Sequence, residues 1–384
     1  MSPDAHQWLV RTGTALTALS MLYMVAAWLA VRLRRGLGSQ ASAAAPPVTI
    51  LKPLCGADPG TYAALRSFCD QSYPRFQIVF GVSEGGDPAV PIVRRLQCEF
   101  PQHDLQIAID RCQHGSNRKV SNLINMMPFA RHDHLVIADS DIRVGSGYLH
   151  AVVAPLADPA VGIVTCAYRG CPQSGVWSLL GSWFINDWFM PSVRVAALLG
   201  SRAFAFGATI AIRRDVLAKI GGFPAIANHL ADDYRLGELT RRLGLVTVLS
   251  ETEVETLVSE RTFGDLVRHE LRWLRTIRAV RPIGYAFSFV TFGVPAGAAG
   301  CLLAAGARPA LVMLAITAAA RLMLHWTVRR PPSPPWHWLV LPLRDTLSLA
   351  LWCWGFVTDR VHWRHDRFRV TPDGSVQRFE DPTP

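Results

Sequence analysis

The chain has 384 residues, half of them hydrophobic, and a formal net charge of +10. That length holds one large domain or two smaller ones, and the apolar fraction with a positive mean hydropathy points to membrane segments. The positive charge lies in Arg-rich patches beside apolar runs, with no basic-aromatic nucleic-acid motif, which favours anionic headgroups and argues against a nucleic-acid binder. The eight Cys are scattered without a CxxC pair, which excludes zinc-ribbon spacing and a disulfide framework and favours reduced thiols.

In chain order, residues 12–31 form an almost uncharged apolar run of bilayer length. Arg11 precedes it, and Arg32, Arg34 and Arg35 follow. This bias predicts an outside N-terminus and a cytoplasmic chain beyond Arg32. A cleaved signal peptide is the competing reading. The weakly charged start, and the small residues 41–45 lying beyond the Arg cluster, count against it. An Ala-rich linker, residues 40–46, comes next.

From residue 46 to 261 short β-rich runs alternate with helical stretches. The predicted strands are 48–51, 77–82, 105–109, 135–138, 161–166, 209–212 and 246–249. Helices are predicted at 61–71, 88–100, 119–127, 148–157 and 232–243. This alternation predicts an α/β domain with a mostly parallel sheet and helices on both faces.

Acidic pairs recur along this stretch, the first two after predicted strands, where open α/β sheets bind ligands. Glu84 and Asp87 follow the second strand and can accept hydrogen bonds from a nucleoside. Asp87 also precedes Pro88, so helix capping is the plainer alternative. Asp139-Ser140-Asp141 ends an apolar strand, where two carboxylates can share a hard cation such as Mg²⁺ or Mn²⁺. A turn with Asp as a cap competes with that reading. Asp232-Asp233 opens a predicted helix and can remove a proton from a hydroxyl, or merely complement the helix dipole. Asn117-Arg118-Lys119 before a helix is a candidate for donor phosphates, through Lys119 in particular, and equally a solvated basic turn. Trp177, Trp183 and Trp188 can line an entrance, with core packing the simpler role.

Residues 263–280 form a basic amphipathic stretch containing His269-Glu270-Leu271-Arg272-Trp273. Arg272 can hold a phosphate and Trp273 can pack beside it, while an interfacial helix without chemistry is the alternative. Three more apolar runs follow at 283–305, 309–325 and 338–357, with a basic-proline linker at 328–332 and a basic tail at 362–369. Any of the three can be a full span or a re-entrant hairpin. The expected organisation is an anchor and linker at 1–45, a cytoplasmic catalytic domain at 46–261, an interfacial segment at 262–282, and a membrane region with tail at 283–384.

These clusters, in this order between membrane ends, resemble the ceramide glucosyltransferase family, glycosyltransferase family 21. That family carries three aspartate motifs followed by (Q/R)xxRW. Supporting stretches are Leu51-Lys52-Pro53-Leu54-Cys55-Gly56, Gly86-Asp87-Pro88-Ala89, Ser140-Asp141-Ile142-Arg143 and Asp232-Asp233-Tyr234. Within the group, the stretch from Asn117 to Asn125 and Ala138-Asp139-Ser140-Asp141-Ile142-Arg143 look most like the bacterial hopanoid-biosynthesis glycosyltransferases. The resemblance implies a GT-A fold and an inverting, metal-dependent transfer from a UDP-sugar to a lipid hydroxyl. It places the family aspartates on Asp87, Asp139 and Asp233, the last as base, and the final motif on His269, Arg272 and Trp273. His269 stands where the family has Gln or Arg, and Asp141 where the animal enzymes have Gly. The implied substrates are UDP-GlcNAc and a hopanoid, bacteriohopanetetrol, with UDP-glucose and ceramide as the alternative. The implied setting is a bacterial inner membrane, multi-pass, with no nucleic-acid partner. A processive polysaccharide synthase and a non-catalytic binding module are the rivals. The small number of C-terminal spans argues against the first, and the filled carboxylate positions against the second.

Overall fold

The computed structural model describes residues 2–33, 45–329, 336–358, 360–363, 366–371 and 375–378. Arg34, Arg35, residues 40–44 of the linker, and residues 330–332 and 364–365 of the basic segments lie outside the described residues. The chain divides into two compact units. A helical unit comprises Met1–Arg35, Leu180–Ser201 and Thr262–Trp363, and a central unit comprises Gly36–Leu179, Arg202–Arg261 and Arg364–Pro384.

The central unit is built on β1 (Val48–Pro53), β2 (Phe76–Val82), β3 (Asp104–Ile109), β4 (His134–Ile137), β5 (Ile142–Arg143), β6 (Val161–Pro172), β7 (Ile210–Arg213) and β8 (Val246–Val258). They form one sheet in the order β3-β2-β1-β4-β7-β6-β8-β5. The helices in chain order are α1 (Pro3–Arg32), α2 (Thr61–Cys69), α3 (Ala89–Glu99), α4 (Arg118–Met126), α5 (Tyr148–Val153), α6 (Gly175–Trp183), α7 (Met190–Leu198), α8 (Arg214–Lys219), α9 (Asp232–Arg242), α10 (Phe263–Val280), α11 (Pro282–Phe287), α12 (Gly293–Leu303), α13 (Arg308–Val328) and α14 (His337–Trp354).

All seven predicted strands are present, but the sheet is mixed rather than mostly parallel. β1, β2, β3 and β4 run parallel to one another, as do β6 and β8, while β7 is antiparallel to β4 and β6, and β5 to β8. Alternation of strands and helices implies a parallel sheet only if every connection is a crossover returning to the same edge. Residues 175–201 are a long excursion instead. The chain re-enters through a tight turn bridged from Phe206 to Thr209, which starts β7 at the opposite end. β5, two residues long, carries no periodic signal.

β1 and β2 are buried along their whole lengths, as near-continuous apolar runs covered on both faces should be. The core joins Leu51, Val79, Leu135 and Ile163 of the sheet to Val120 and Leu123 of α4 and Leu236 of α9. α4 starts where the Asn117 side chain accepts the Val120 N–H.

In the helical unit, α1 packs against α12 by small residues. A Cβ on Gly13 would stand 2.4 Å from the Gly300 carbonyl, and one on Gly300 would stand 2.6 Å from Thr17 Oγ1. Such close backbone approach drives helix association where hydrophobic exclusion is weak. α1 and α13 are each long and apolar enough to cross a membrane. The predicted run 283–305 is broken: Pro282–Thr291 and Gly293–Leu303 meet at 78°, as in a broken span or re-entrant loop. α10 spans the predicted amphipathic stretch and opens on a capping box between Thr262 and Asp265.

Candidate active site

The C-terminal ends of β1 and β4, the start of β7 and the N-termini of α4 and α9 converge on one edge of the sheet. This edge is a topological switch point, since β2 follows β1 on one side and β4 lies on the other. β4 delivers Asp139-Ser140-Asp141 into a turn closed by the Ile142 N–H on the Asp139 carbonyl, 3.3 Å. The chain then departs as β5, and Thr256 Oγ1 donates to Asp141 Oδ2 at 2.6 Å.

Lys119, in the first turn of α4, reaches two of the predicted carboxylates. Its Nζ lies 2.7 Å from Asp139 Oδ1 and 3.1 Å from Asp232 Oδ2. Gly207 links the rest: it accepts the Asp139 N–H at 3.3 Å and donates its own N–H to Asp233 Oδ2 at 2.8 Å. Asp233 Oδ1 accepts the Tyr234 N–H at 2.7 Å. Asp139, Asp232, Asp233 and Lys119, spread over 115 positions of sequence, thus form one network.

Its electrostatics carry a surplus of negative charge. Burial, with the adjacent Asp232 charge, pushes the Asp233 carboxyl up to about 6. Burial and Asp139 raise Asp141 as well, against the Thr256 hydrogen bond. Burial works to lower Lys119, but Asp139, Asp232 and Asp233 outweigh it and hold the ammonium firmly charged.

Three parts of the site were not singled out as site residues from sequence. Lys52 on β1 is wholly buried, donates to the Asp139 carbonyl, and lies 3.9 Å over the Phe68 ring. Burial pulls it down to about 7, against Asp141 and Asp139. A lysine inside an otherwise apolar strand was the available signal. Thr256 and Gly207 carried none, because their roles depend on which strands become neighbours.

The remaining predicted residues stand on other elements of the chain. Asp87 accepts the Gly56 N–H at 2.9 Å and the Ala89 N–H at 2.8 Å, tying the loop after β1 to the start of α3. Glu84 is exposed in the loop between β2 and α3. His269, Arg272 and Trp273 lie on α10 in the helical unit. There Trp273 meets His269, Phe184 and Phe189 edge-on, with ring centroids 5.5, 6.0 and 5.1 Å away.

A divalent cation suits the Asp139–Asp141 pair chemically. Both carboxylates offer hard oxygens, the Asp139 side chain is 37% exposed, and positive charge would relieve the repulsion that raises Asp141. Among the described residues no cluster of three or more His, Cys, Asp or Glu ligands forms. Such an ion would therefore keep positions for water and substrate oxygens, as Mg²⁺ does.

The ceramide glucosyltransferase of Candida albicans is 34% identical over 121 residues, 28% of this chain and 22% of that protein. Ceramide glucosyltransferase 3 of Caenorhabditis elegans is 22% identical over 241 residues, 62% of this chain and 52% of that protein. The aligned parts thus span from about a fifth to half of these curated relatives. Among solved structures, a mannosyltransferase of Pyrobaculum calidifontis in complex with GDP-Man and Mn²⁺ superposes with a TM-score of 0.55 at 22% identity, covering 89% of this chain and 99% of that one. The shared fold is the GT-A-like arrangement with a curled mixed sheet. A family model described as Glycosyl transferase family 21 matches residues 12–376, nearly the whole chain, and the protein belongs to that family.

Proposed function

We propose that the protein transfers a sugar from a nucleoside diphosphate to a lipid hydroxyl, with inversion at the anomeric carbon. The observation that carries this reading is the network of Asp139, Lys119, Asp232, Gly207 and Asp233 at the switch point of a GT-A-like sheet.

Asp233 is the base. Two backbone N–H groups fix its carboxylate and leave a lone pair on each oxygen, and a carboxyl titrating near 6 is ionised at neutral pH yet basic enough to accept a proton. The acceptor O–H gives its proton to Asp233 while its oxygen bonds the anomeric carbon. The bond to the diphosphate breaks on the opposite face, and the nucleoside diphosphate leaves with the electron pair. Lys119 directs positive charge toward that departing group, and Asp232 holds Lys119 in place. Lys52 holds the Asp139 turn. Asp87 secures the Gly56 loop, leaving Glu84 exposed for the nucleoside. A divalent ion on Asp139 and Asp141 would supply Lewis-acid stabilisation of the diphosphate. The Mn²⁺ and GDP-Man of the solved mannosyltransferase support a metal and a nucleotide sugar here.

The relatives favour glucose transfer to ceramide over the hopanoid that the motif resemblance implied. UDP as the nucleotide and the donor-binding role of His269, Arg272 and Trp273 rest on that resemblance. The Arg bias after α1 supports a catalytic unit on the cytoplasmic face. Membranes containing the protein decide the substrates. They are given radiolabelled UDP-glucose or UDP-GlcNAc with ceramide or bacteriohopanetetrol, with and without chelator, and lipid-soluble label is followed. Chelator-sensitive label on ceramide from UDP-glucose is expected. Label on bacteriohopanetetrol from UDP-GlcNAc would replace the substrates and keep the mechanism, and label on neither lipid would overturn the lipid acceptor.

A further inference from the structure

Within the helical unit, α14 has 18 residues, enough to cross a membrane, but it carries Arg344 and Asp345 and falls short of the apolarity of α1 and α13. Its polarity is inside out. His337, Arg344 and Ser348 lie on the buried side, while Trp338, Leu339, Leu343 and Trp354 are exposed. A continuous outer face of that kind suits hydrocarbon rather than water.

The depth of α14 follows from its neighbours. Met24, Ala27 and Val31 of α1 pack with Ala320, Leu324 and Val328 of α13, so these two helices run the same way, toward Arg32 and Arg329. Gly293 abuts Met24 and Thr317, and Gly300 abuts Gly13 and Thr17, so α12 runs back the other way. By the Arg bias, the end that holds Arg32 and Arg329 is the cytoplasmic one. α14 starts there: His337 Nδ1 lies 2.7 Å from His325 Nε2, and Arg329 reaches His337 Nε2 at 3.0 Å. Eight residues on, Asp345 accepts two hydrogen bonds of 2.8 Å from Arg321, one turn before His325 on α13. Thus about 12 Å of α14 descends only about 6 Å along α13. The last turn returns to α11. Trp352 Nε1 donates to the Tyr285 carbonyl and Ser288 Oγ, each at 3.0 Å, and Tyr285 O–H donates to the Trp352 carbonyl at 2.8 Å. Just beyond, Arg278 of α10 reaches the Thr358 carbonyl at 3.4 Å. α10 and α11 lead into the cytoplasmic end of α12, so α14 finishes on the side where it began. A crossing helix would finish near Gly13 and Leu303 instead, and would carry Arg344 and Asp345 through the bilayer centre, where charge costs most.

We infer that α14 lies along the cytoplasmic leaflet rather than crossing it, with its exposed Trp and Leu side chains in hydrocarbon and both ends on the cytoplasmic side. The partner of this face is the lipid leaflet itself. Arg344, bonded to Glu270 of α10, then ties the His269–Trp273 segment to a helix whose position the membrane surface sets. The inference goes beyond the proposed reaction and rests on α1 and α13 crossing the bilayer.

The test uses full-length protein with its eight Cys replaced and single Cys residues introduced, in sealed vesicles of either orientation. The background is one that keeps the wild-type melting temperature. A membrane-impermeant maleimide should modify Trp336→Cys and Thr358→Cys in inside-out vesicles, and Asp4→Cys and Ala307→Cys in right-side-out vesicles, with loss of label in the opposite preparation. Trp336→Cys and Thr358→Cys reacting from opposite sides overturn the inference alone when Ala307→Cys keeps its side. Ala307→Cys and Trp336→Cys reacting from one side overturn the crossing of α13, and the inference with it. A nitroxide on Leu343→Cys should report the depth of one on Leu29→Cys, about 10 Å shallower than one on Leu22→Cys. A depth equal to that of Leu22→Cys would sink the proposal. Trypsin needs no variant to fold. On the unaltered chain it should cut after Arg329 and within the basic tail 362–369 in inside-out vesicles, and at neither in right-side-out ones. Cleavage at the two places from opposite sides means that α14 crosses.

Discussion

In the central unit Lys119 faces Asp139 and Asp232, with Asp141 and Asp233 nearby. In the helical unit Arg321 faces Asp187 and Asp345, with Arg344 and Glu270 nearby. Both clusters hold more carboxylates than cations, but the pairing differs. In the central unit two lysines meet four carboxylates, and burial together with that excess raises Asp141 and Asp233. In the helical unit Arg321 grips Asp345 in a buried, fork-like geometry. A surplus of charge near water is ready for a proton or a cation. Charge locked in a buried fork away from water can only orient and hydrogen-bond.

This contrast predicts opposite failures. Asp233→Asn should keep the Gly207 link and donor binding but lower sugar transfer by about 10²–10⁴-fold, since the amide cannot take the proton. Donor affinity from isothermal titration and turnover from the radiolabel assay separate the two effects, and joint loss of both would remove Asp233 from the role of base. Arg321→Met in the helical unit should instead cost stability, about 3–5 kcal/mol, because Asp187 and Asp345 stay buried without their cation. Thermal unfolding in detergent measures it. A melting temperature equal to wild type would mean the pair is not buried as described.

The two clusters also differ in how far they could be seen in the sequence. Asp139-Ser140-Asp141 and Asp232-Asp233 were visible because carboxylates stand together at the ends of periodic segments. Lys119 was visible as one residue of a basic turn, and its bonds to Asp139 and Asp232 were not, since they require α4 and α9 to meet at the same sheet edge. Strand positions followed from apolar runs, whereas strand direction did not. Residues 175–190 read as one Gly- and aromatic-rich segment, and nothing in their period says that β7 returns reversed. The Arg321 cluster was hidden for another reason. Asp187, Arg321 and Asp345 each stand within largely apolar or aromatic stretches, and only helix packing joins them.

A milder change sharpens the geometry of the central network. A methyl group added to Gly207 would stand 2.9 Å from Asp139 Oδ2 and 3.1 Å from Lys119 Nζ. Both are ends of side chains that can shift, so Gly207→Ala should fold and lower turnover by about tenfold through displacement of the pair. Unchanged turnover would show that the Lys119–Asp139 spacing is not part of the chemistry.

The smallest effect is the one that pH alone produces. Asp233 is held near 6 by burial and by Asp232, above the ordinary carboxylate value. Only its ionised form can accept a proton, so raising the pH through about 6 should increase kcat, and lowering it should reduce kcat about tenfold for each further unit. Removing the Asp232 charge works in the opposite direction. In Asp232→Asn the neighbouring repulsion is gone, Asp233 ionises more readily, and the acid limb of the profile should move to lower pH. The same change frees Lys119 from one partner, so the height of the profile falls while its acid limb shifts. A limb that stays in place, measured on saturating donor and acceptor, would assign the titration to some other group.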